Sequence, residues 1–377
     1  MNAHIGHFFP LGGTGEMHGI SLIESAEEKP FWSLRPSQKR RSTSLLKVGP
    51  AGPQFCSFQS KSELFVVDPA TGKTLWKRSG LAPNSGLLTD HYSGLFGDEQ
   101  VLVMFESNRR SYTAFRTLTG EIIRKGTLDI ELRNPRRVIG RNLFYMVTTI
   151  AGKRMRVWDS VYDRIIFDEP ARSTYLATTV LDAENELAVV LPGNRLRIFN
   201  AETGKILLNV LLSEKQLQNL SYIRVSRDAQ RYFVNFQYQP RFIWMARSSL
   251  YADTFLPRLD VQGDLYVFNK NTGQQLWKRT LPQRSILRLP EYDLPFLITI
   301  SRERGRQKNN TQSLLVEAID IQTGETLGSA VNLFPDRLVQ MSVDRDRGVV
   351  LLHGLKNEIR LDFGPQKQRF NFQDETL

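Results

Sequence analysis

Residues that could do chemistry are few in this chain, and they are scattered. Five histidines occur, His4, His7, His18, His91 and His353. His4-x-x-His7 with His18 has the start of a metal-ligand pattern, but no cysteine or carboxylate stands at a familiar spacing to complete it. Turn or surface histidines are the expectation. Asp344-Arg345-Asp346 has the look of a hard-cation loop, yet no bidentate glutamate follows and a strand pattern does. The one cysteine, Cys56, is flanked by Phe55 and Phe58 and reads as a buried small hydrophobe rather than a nucleophile. Alone it makes no internal disulfide, so cysteine usage sets no compartment. Gly12-Gly13-Thr14-Gly15 is followed by no helical pattern, and Gly-x-x-x-x-Gly-Lys-Ser/Thr is absent, so it reads as a turn and not a phosphate cradle. A Gly-x-Ser-x-Gly nucleophile elbow is absent too. What the chain has in quantity is basic charge: 50 Lys and Arg against 39 Asp and Glu give +11 over 377 residues. Clustered, that charge favours anionic partners.

The elements that must carry these residues announce themselves at Val66-Val67-Asp68-Pro69-Ala70-Thr71-Gly72-Lys73-Thr74-Leu75-Trp76-Lys77-Arg78. An alternating strand runs into a turn and out into a second strand, the pattern of a β-hairpin. Aspartate caps its own turn, and glycine supplies the positive φ. The phrase recurs at Asn200–Lys205, Asn269–Gln274 and Asp320–Glu325, with a looser copy at Thr117–Glu121. Aligned on the turn glycine, the chain falls into eight units marked by Glu28, Gly72, Gly120, Asp163, Gly204, Gly273, Gly324 and Gln366. Their successive spacings are 44, 48, 43, 41, 69, 51 and 42 residues. Most sit near the length of one four-stranded propeller blade. The fifth unit divides into strands Thr174–Val180, Glu186–Leu191, Arg195–Asn200 and Lys205–Val210. The eighth divides into Leu338–Val343, Gly348–His353, Glu358–Phe363 and Gln368–Phe372. The fold expected is all-β, a β-propeller of four-stranded antiparallel blades spanning residues 1–377 as one domain, eight-bladed or alternatively seven-bladed. Helix is expected for a turn or two within Ser213–Leu220 and nowhere else.

Three units are irregular. The sixth has an insertion at about Gln237–Gln262, aromatic and basic, and the seventh a shorter one at Arg302–Gln312 in the same slot. The first, about residues 1–36, has strands near Ile5–Leu11, Gly19–Glu24 and Pro30–Arg35 and lacks its innermost strand. A bare strand edge there would need covering. Either Phe370–Leu377 helps seal the ring, or the chain is the C-terminal part of a longer polypeptide or sits in a larger complex.

Asp-x-x-Thr-Gly-x-x-x-Trp, as in Asp68, Thr71, Gly72 and Trp76, resembles the tryptophan-docking motif of pyrroloquinoline-quinone (PQQ)-like propellers. Asn269, Thr272, Gly273 and Trp277 make a second copy, and Glu24 with Trp32 a weaker one. The resemblance implies that Trp32, Trp76 and Trp277 pack between blades, with Asp68 and the glycines Gly72, Gly120, Gly204, Gly273 and Gly324 shaping the turns that receive them. The family holds quinoprotein dehydrogenases, an outer-membrane assembly lipoprotein and other propellers. Its enzymes use calcium-bound quinone, a carboxylate base and often a vicinal cysteine pair. With one cysteine, a shorter chain and no matching Glu, Asn and Asp set, this sequence points away from PQQ with calcium and toward the non-enzymatic branch, without a cofactor.

Propeller topology sorts the charges. Links between strands two and three share a rim with links between blades. That rim carries Lys39, Arg40, Arg41, Arg109, Arg110, Arg136, Arg137, Arg241, Trp244, Arg247, Arg302, Arg304 and Arg306. The opposite rim collects Asp68, Asp98, Asp182, Glu202 and Asp320. Paired arginine and aromatic side chains are the usual anchors of interfaces. The expectation is a scaffold that binds an acidic protein on this basic rim. A diverged quinone- or metal-dependent oxidoreductase and an anionic-polymer binder, for polysaccharide or nucleic acid, are the alternatives. No run of about 18 apolar residues occurs, and the N-terminus shows no signal-peptide pattern. Export is expected only if the true start lies upstream of Met1.

Overall fold

The computed structural model describes residues 7–10, 17–20, 32–34, 47–60, 62–81, 87–88, 92–93, 95–106, 108, 110–128, 136–171, 177–181, 185–238, 256, 258–287, 294–303, 313–333, 338, 340–354, 357–363 and 370–376. Two compact units divide the chain: Met1–Ala171 with Ala201–Gly204, and Arg172–Asn200 with Lys205–Leu377.

In the first unit, β1 (His7–Pro10), β2 (Met17–Ile20) and β3 (Trp32–Leu34) form a three-stranded antiparallel sheet. The next sheet takes β4 (Lys47–Gly52), β5 (Phe55–Ser60), β6 (Glu63–Val67) and β7 (Thr74–Arg78) in sequence order. A short hairpin, β8 (Leu87–Leu88) and β9 (Tyr92–Ser93), follows. The third sheet is β10 (Leu95–Gly97), β11 (Val101–Phe105), β12 (Ser111–Arg116) and β13 (Ile122–Thr127). The fourth is β14 (Arg136–Ile139), β15 (Asn142–Thr149), β16 (Gly152–Asp159) and β17 (Arg164–Pro170).

The second unit opens with β18 (Ala177–Leu181), β19 (Glu186–Leu191), β20 (Arg195–Asn200) and β21 (Ile206–Leu211). One helical turn, α1 (Glu214–Leu217), follows, closed by a reciprocal capping box between Ser213 and Gln216. Next come β22 (Leu220–Arg227), β23 (Arg231–Tyr238), β24 (Arg258–Asn269), β25 (Gln275–Leu287), β26 (Phe296–Glu303), β27 (Ser313–Asp320) and β28 (Thr326–Leu333). β18 pairs in parallel with β22, and β25 pairs with both β24 and β26, so 11 strands form one continuous sheet. The last sheet is β29 (Gln340–Asp344), β30 (Val349–His353), β31 (Asn357–Phe363) and β32 (Phe370–Thr376).

This is a β-propeller of four-stranded antiparallel blades, and its packing explains the sequence. Second strands such as Val101–Phe105 and Glu186–Leu191 are buried on both faces. Fourth strands such as Ile122–Thr127 are half exposed. Apolar clusters join consecutive layers: Phe55, Val66, Leu102 and Phe115 knit the second sheet to the third, and Ile298, Val316, Val350 and Leu361 knit β26 and β27 to the last sheet. A sheet sandwiched between two others must be apolar on both sides, as these central strands are.

The eighth unit's fourth strand is β32, described from Phe370 to Thr376, and it pairs with β31; the C-terminal segment is a strand of its own sheet. His353 is the last residue of β30, as the expected strand Gly348–His353 has it, paired with Gln340 on one side and Glu358 on the other.

Candidate functional site

The repeated turn is built the same way each time. The Gly72 amide donates to Asp68 O at 2.8 Å, Gly120 to Arg116 O at 2.8 Å, Gly273 to Asn269 O at 2.9 Å and Gly324 to Asp320 O at 2.9 Å. The first residue caps the turn through its side chain: Asp68 Oδ1 accepts from Ala70 N, and Asp320 Oδ1 from Gln322 N and Thr323 N. Beside each turn the third-to-fourth strand ladder shifts register, at Val66/Val67, Ala114/Phe115, Val157/Trp158, Ile198/Phe199, Val267/Phe268 and Ala318/Ile319. A bulge of this kind re-aims the residues that follow it. Four positions past Gly72, Gly204 and Gly273, the side chains of Trp76, Leu208 and Trp277 meet the turn of the next repeat.

At two junctions that side chain is tryptophan. Trp76 Nε1 donates to Thr117 O at 2.7 Å, and Trp277 Nε1 to Ile321 O at 3.0 Å. Each ring lies flat on the next turn's glycine, so that a Cβ on Gly120 would come within 2.6 Å of Trp76 and one on Gly324 within 2.7 Å of Trp277. Two residues on, an arginine repeats the clasp: Arg78 Nη2 donates to Gly120 O and Arg279 Nη1 to Gly324 O, both at 3.1 Å. The sequence reading missed these arginines, although Trp-Lys-Arg stands in both copies.

Other junctions fill the same place differently. Asp163 takes the glycine position with φ +54° and binds Trp158 Nε1 at 2.9 Å. Aspartate tolerates this left-handed conformation better than most residues. Arg124 stands where the tryptophan would. It and Asp163 both act on the Tyr112 hydroxyl, whose pKa is driven above its ordinary value by burial and then by the Asp163 carboxylate. At Gly273 the neighbour is Leu208, 3.5 Å from a built Cβ. Trp32 is the first residue of β3, opposite Gly19.

Charged groups with little exposure on the strands of the 11-stranded sheet are paired with groups on other strands. Glu317 Oε1 binds Arg279 at 2.6 Å, its Oε2 contacts Arg284, and it is only 4% exposed. Asp264 accepts from Lys278 at 2.7 Å and Thr280 at 2.6 Å. Burial pushes its pKa up, and these hydrogen bonds more than cancel that, so it lies below the ordinary carboxylate value. Of the other carboxylates expected on the second rim, Asp98 is a turn cap that accepts from Gln100 N and Val101 N; Asp228, accepting from Gln230 N and Arg231 N, and Asp344, accepting from Arg347 N, cap turns in the same way. Among the described residues, no three His, Cys, Asp or Glu converge as metal ligands.

Of the basic-rim candidates, Lys39, Arg40, Arg41, Arg109, Arg241, Trp244, Arg247, Arg304 and Arg306 lie outside the described residues. Arg110 is exposed in the link between β11 and β12. Arg136 and Arg137, expected in a link between blades, begin β14 opposite Tyr145 and Phe144; Arg302 belongs to β26, opposite Leu314. The two insertions fall between β23 and β24 and between β26 and β27, the same slot of consecutive sheets. Beside β7 and β13 a cleft of about 300 Å³ is lined by Gly80, Leu81, Glu106, Phe115 and Lys125.

A family model described as outer membrane protein assembly factor BamB matches residues 19–285. BamB from Moraxella catarrhalis is 12% identical over 94% of this chain and 92% of that one, with a TM-score of 0.42. Apo AztD from Citrobacter koseri is 10% identical over 98% and 94%, with a TM-score of 0.43. The dihydro-heme d1 dehydrogenase NirN is 9% identical over 100% of this chain and 74% of its own, at 0.42. No curated protein sequence matches the chain.

Proposed function

The chain belongs to the PQQ-like propeller family of the outer membrane protein assembly factor BamB, and from that premise we propose that it is a binding scaffold that holds an acidic partner protein through a basic, aromatic-bearing rim. The reading rests on one observation. Two insertions, one carrying Arg241, Trp244 and Arg247 and the other Arg304 and Arg306, with Arg302 at the end of the strand leading into it, interrupt the second-to-third-strand links of consecutive repeats. Successive strands are antiparallel, so links between second and third strands leave their sheets from corresponding ends. Loops can vary there without disturbing the scaffold. The docking turns have the opposite character: their carboxylates cap their own turns and the indoles Trp76 and Trp277 are engaged by the next turn, roles that are structural. The matched family is named for assembling other proteins, and a partner-holding role extends that to this chain. No quinone or metal enters the proposal.

A column test decides it. Wild-type protein and a variant with Arg241, Trp244 and Arg247 replaced by Ala are run on immobilised poly-glutamate and eluted with salt. The wild type is expected to be retained and the variant to elute at markedly lower salt. Equal elution overturns the reading. Retention by heparin with a steep salt slope but none by poly-glutamate would favour an anionic polymer instead.

A further inference from the structure

One cluster of side chains belongs neither to the docking turns nor to the basic rim. Ser342 Oγ lies 2.9 Å from His353 Nε2, and His353 Nδ1 lies 2.7 Å from Glu358 Oε2. The cluster is made by strand register. Gln340, His353 and Glu358 form one row across β29, β30 and β31, and Ser342, Leu351 and Arg360 form the next row. Both rows share one face of the last sheet. The other face, with Met341, Val350, Leu352, Ile359 and Leu361, is packed against β26 and β27. His353 retains 28% side-chain exposure and Glu358 14%, so the group is half-buried and a small molecule can reach it.

We propose that Ser342, His353 and Glu358 form an acyl-transfer site that hydrolyses carboxylic esters at an activated serine. With Nδ1–H donating to Glu358, Nε2 presents its lone pair to the serine hydroxyl, which is the division of labour a serine nucleophile requires. Ser342 Oγ bonds to the ester carbonyl carbon while its proton passes to His353 Nε2. The C–O bond to the leaving group then breaks, and that proton leaves with the alcohol. Water, deprotonated by the same nitrogen, attacks the acyl-serine and releases the acid, restoring the hydroxyl. Glu358 is a positioning residue, holding the ring and the charge that forms on it. Among the described residues β30 is the only strand paired with β29. Alternate peptide N–H groups along β29 therefore face away from the ladder beside the serine, as donors for an oxyanion. The proposal goes beyond the scaffold reading and does not depend on any partner.

Labelling with a fluorophosphonate, which reacts with activated serines, tests it on the full chain. Peptide mass mapping is expected to find the adduct on Ser342 in wild type and none in Ser342→Ala. His353→Gln should slow labelling and the hydrolysis of p-nitrophenyl butyrate by about 100-fold, the contribution of a general base. Glu358→Gln should lower kcat with KM unchanged, and Glu358→Asp should recover part of it. An unlabelled Ser342 in folded wild-type protein overturns the proposal whatever the variants do, and so does equal labelling of wild type and His353→Gln.

Discussion

Three glycines of the second unit share a backbone conformation and differ only in what faces them, which isolates the energy of docking. Gly193, Gly273 and Gly324 have φ of +70°, +72° and +75°. A Cβ on Gly193 meets nothing within 4 Å, one on Gly273 meets Leu208 at 3.5 Å, and one on Gly324 meets the Trp277 ring at 2.7 Å. Left-handed backbone costs a non-glycine residue about 1–2 kcal/mol, less the entropy that alanine removes from the unfolded chain. Gly193→Ala and Gly273→Ala should each destabilise by about 1 kcal/mol on that arithmetic. Gly324→Ala adds the displacement of an indole only 7% exposed and anchored through Ile321 O. Overpacking of this kind costs about 1–3 kcal/mol, for a total near 2–4 kcal/mol. Urea unfolding followed by tryptophan fluorescence reads the three midpoints at constant slope. The added loss should vanish in a Trp277→Leu background, which copies the Leu208 arrangement, so the double-mutant cycle returns the overpacking energy. A Gly324→Ala protein as stable as Gly193→Ala would refute the reasoning. In the first unit, Gly120→Ala against Gly80→Ala should repeat the order, since a Cβ on Gly80 also meets nothing within 4 Å.

Glu317→Gln should cost about 3 kcal/mol in urea, because removing one partner of a buried ion pair leaves Arg279 and Arg284 uncompensated; Arg284→Met in the same protein should recover part of the loss. Asp264 titrates below the ordinary 3.8 in the folded state. The stability it contributes is full above that unfolded value and lost as pH falls through the folded one, so unfolding midpoints measured downward from pH 5 should decline less steeply in Lys278→Met. Burial pushes the Cys56 thiol up to about 12, and its side chain has no exposure; iodoacetamide at pH 8 should leave it unmodified in native protein and alkylate it in urea, as mass spectrometry would read.

Most of the fold was legible because the turn that repeats has narrow chemistry. Only a few residue types cap a turn and only glycine adopts positive φ freely, so Asp68–Gly72, Asn269–Gly273 and Asp320–Gly324 stand out. Strands Glu186–Leu191 and Arg195–Asn200 come out with the ends that pattern alone suggests. Where the phrase decays, legibility fades for a physical reason. Asp163 does the work of glycine, and Arg124 and Leu208 stand where tryptophan stands elsewhere; these substitutions make sense only once the facing residue is known. Arg78 and Arg279 went unnoticed because a basic residue on an outer strand ordinarily means a solvated surface. The long β25, which closes one blade and opens the next, was hidden because its two halves carry unrelated patterns.

Ser342, His353 and Glu358 mark the further limit. They are 11 and 5 positions apart in the chain, matching neither strand nor helix period. Their meeting depends on the β29–β30 turn, where Asp344 accepts from Arg347 N and the Gly348 amide bonds Arg345 O. A slip of one residue there would carry Ser342 to the opposite face, among the apolar side chains that meet β26 and β27. The turn therefore does for this cluster what the Thr-Gly turn does for the docking tryptophans: it converts a backbone register into a side-chain contact. The same Asp344-Arg345-Asp346 stretch that looks like a cation loop in the sequence is the device that sets that register.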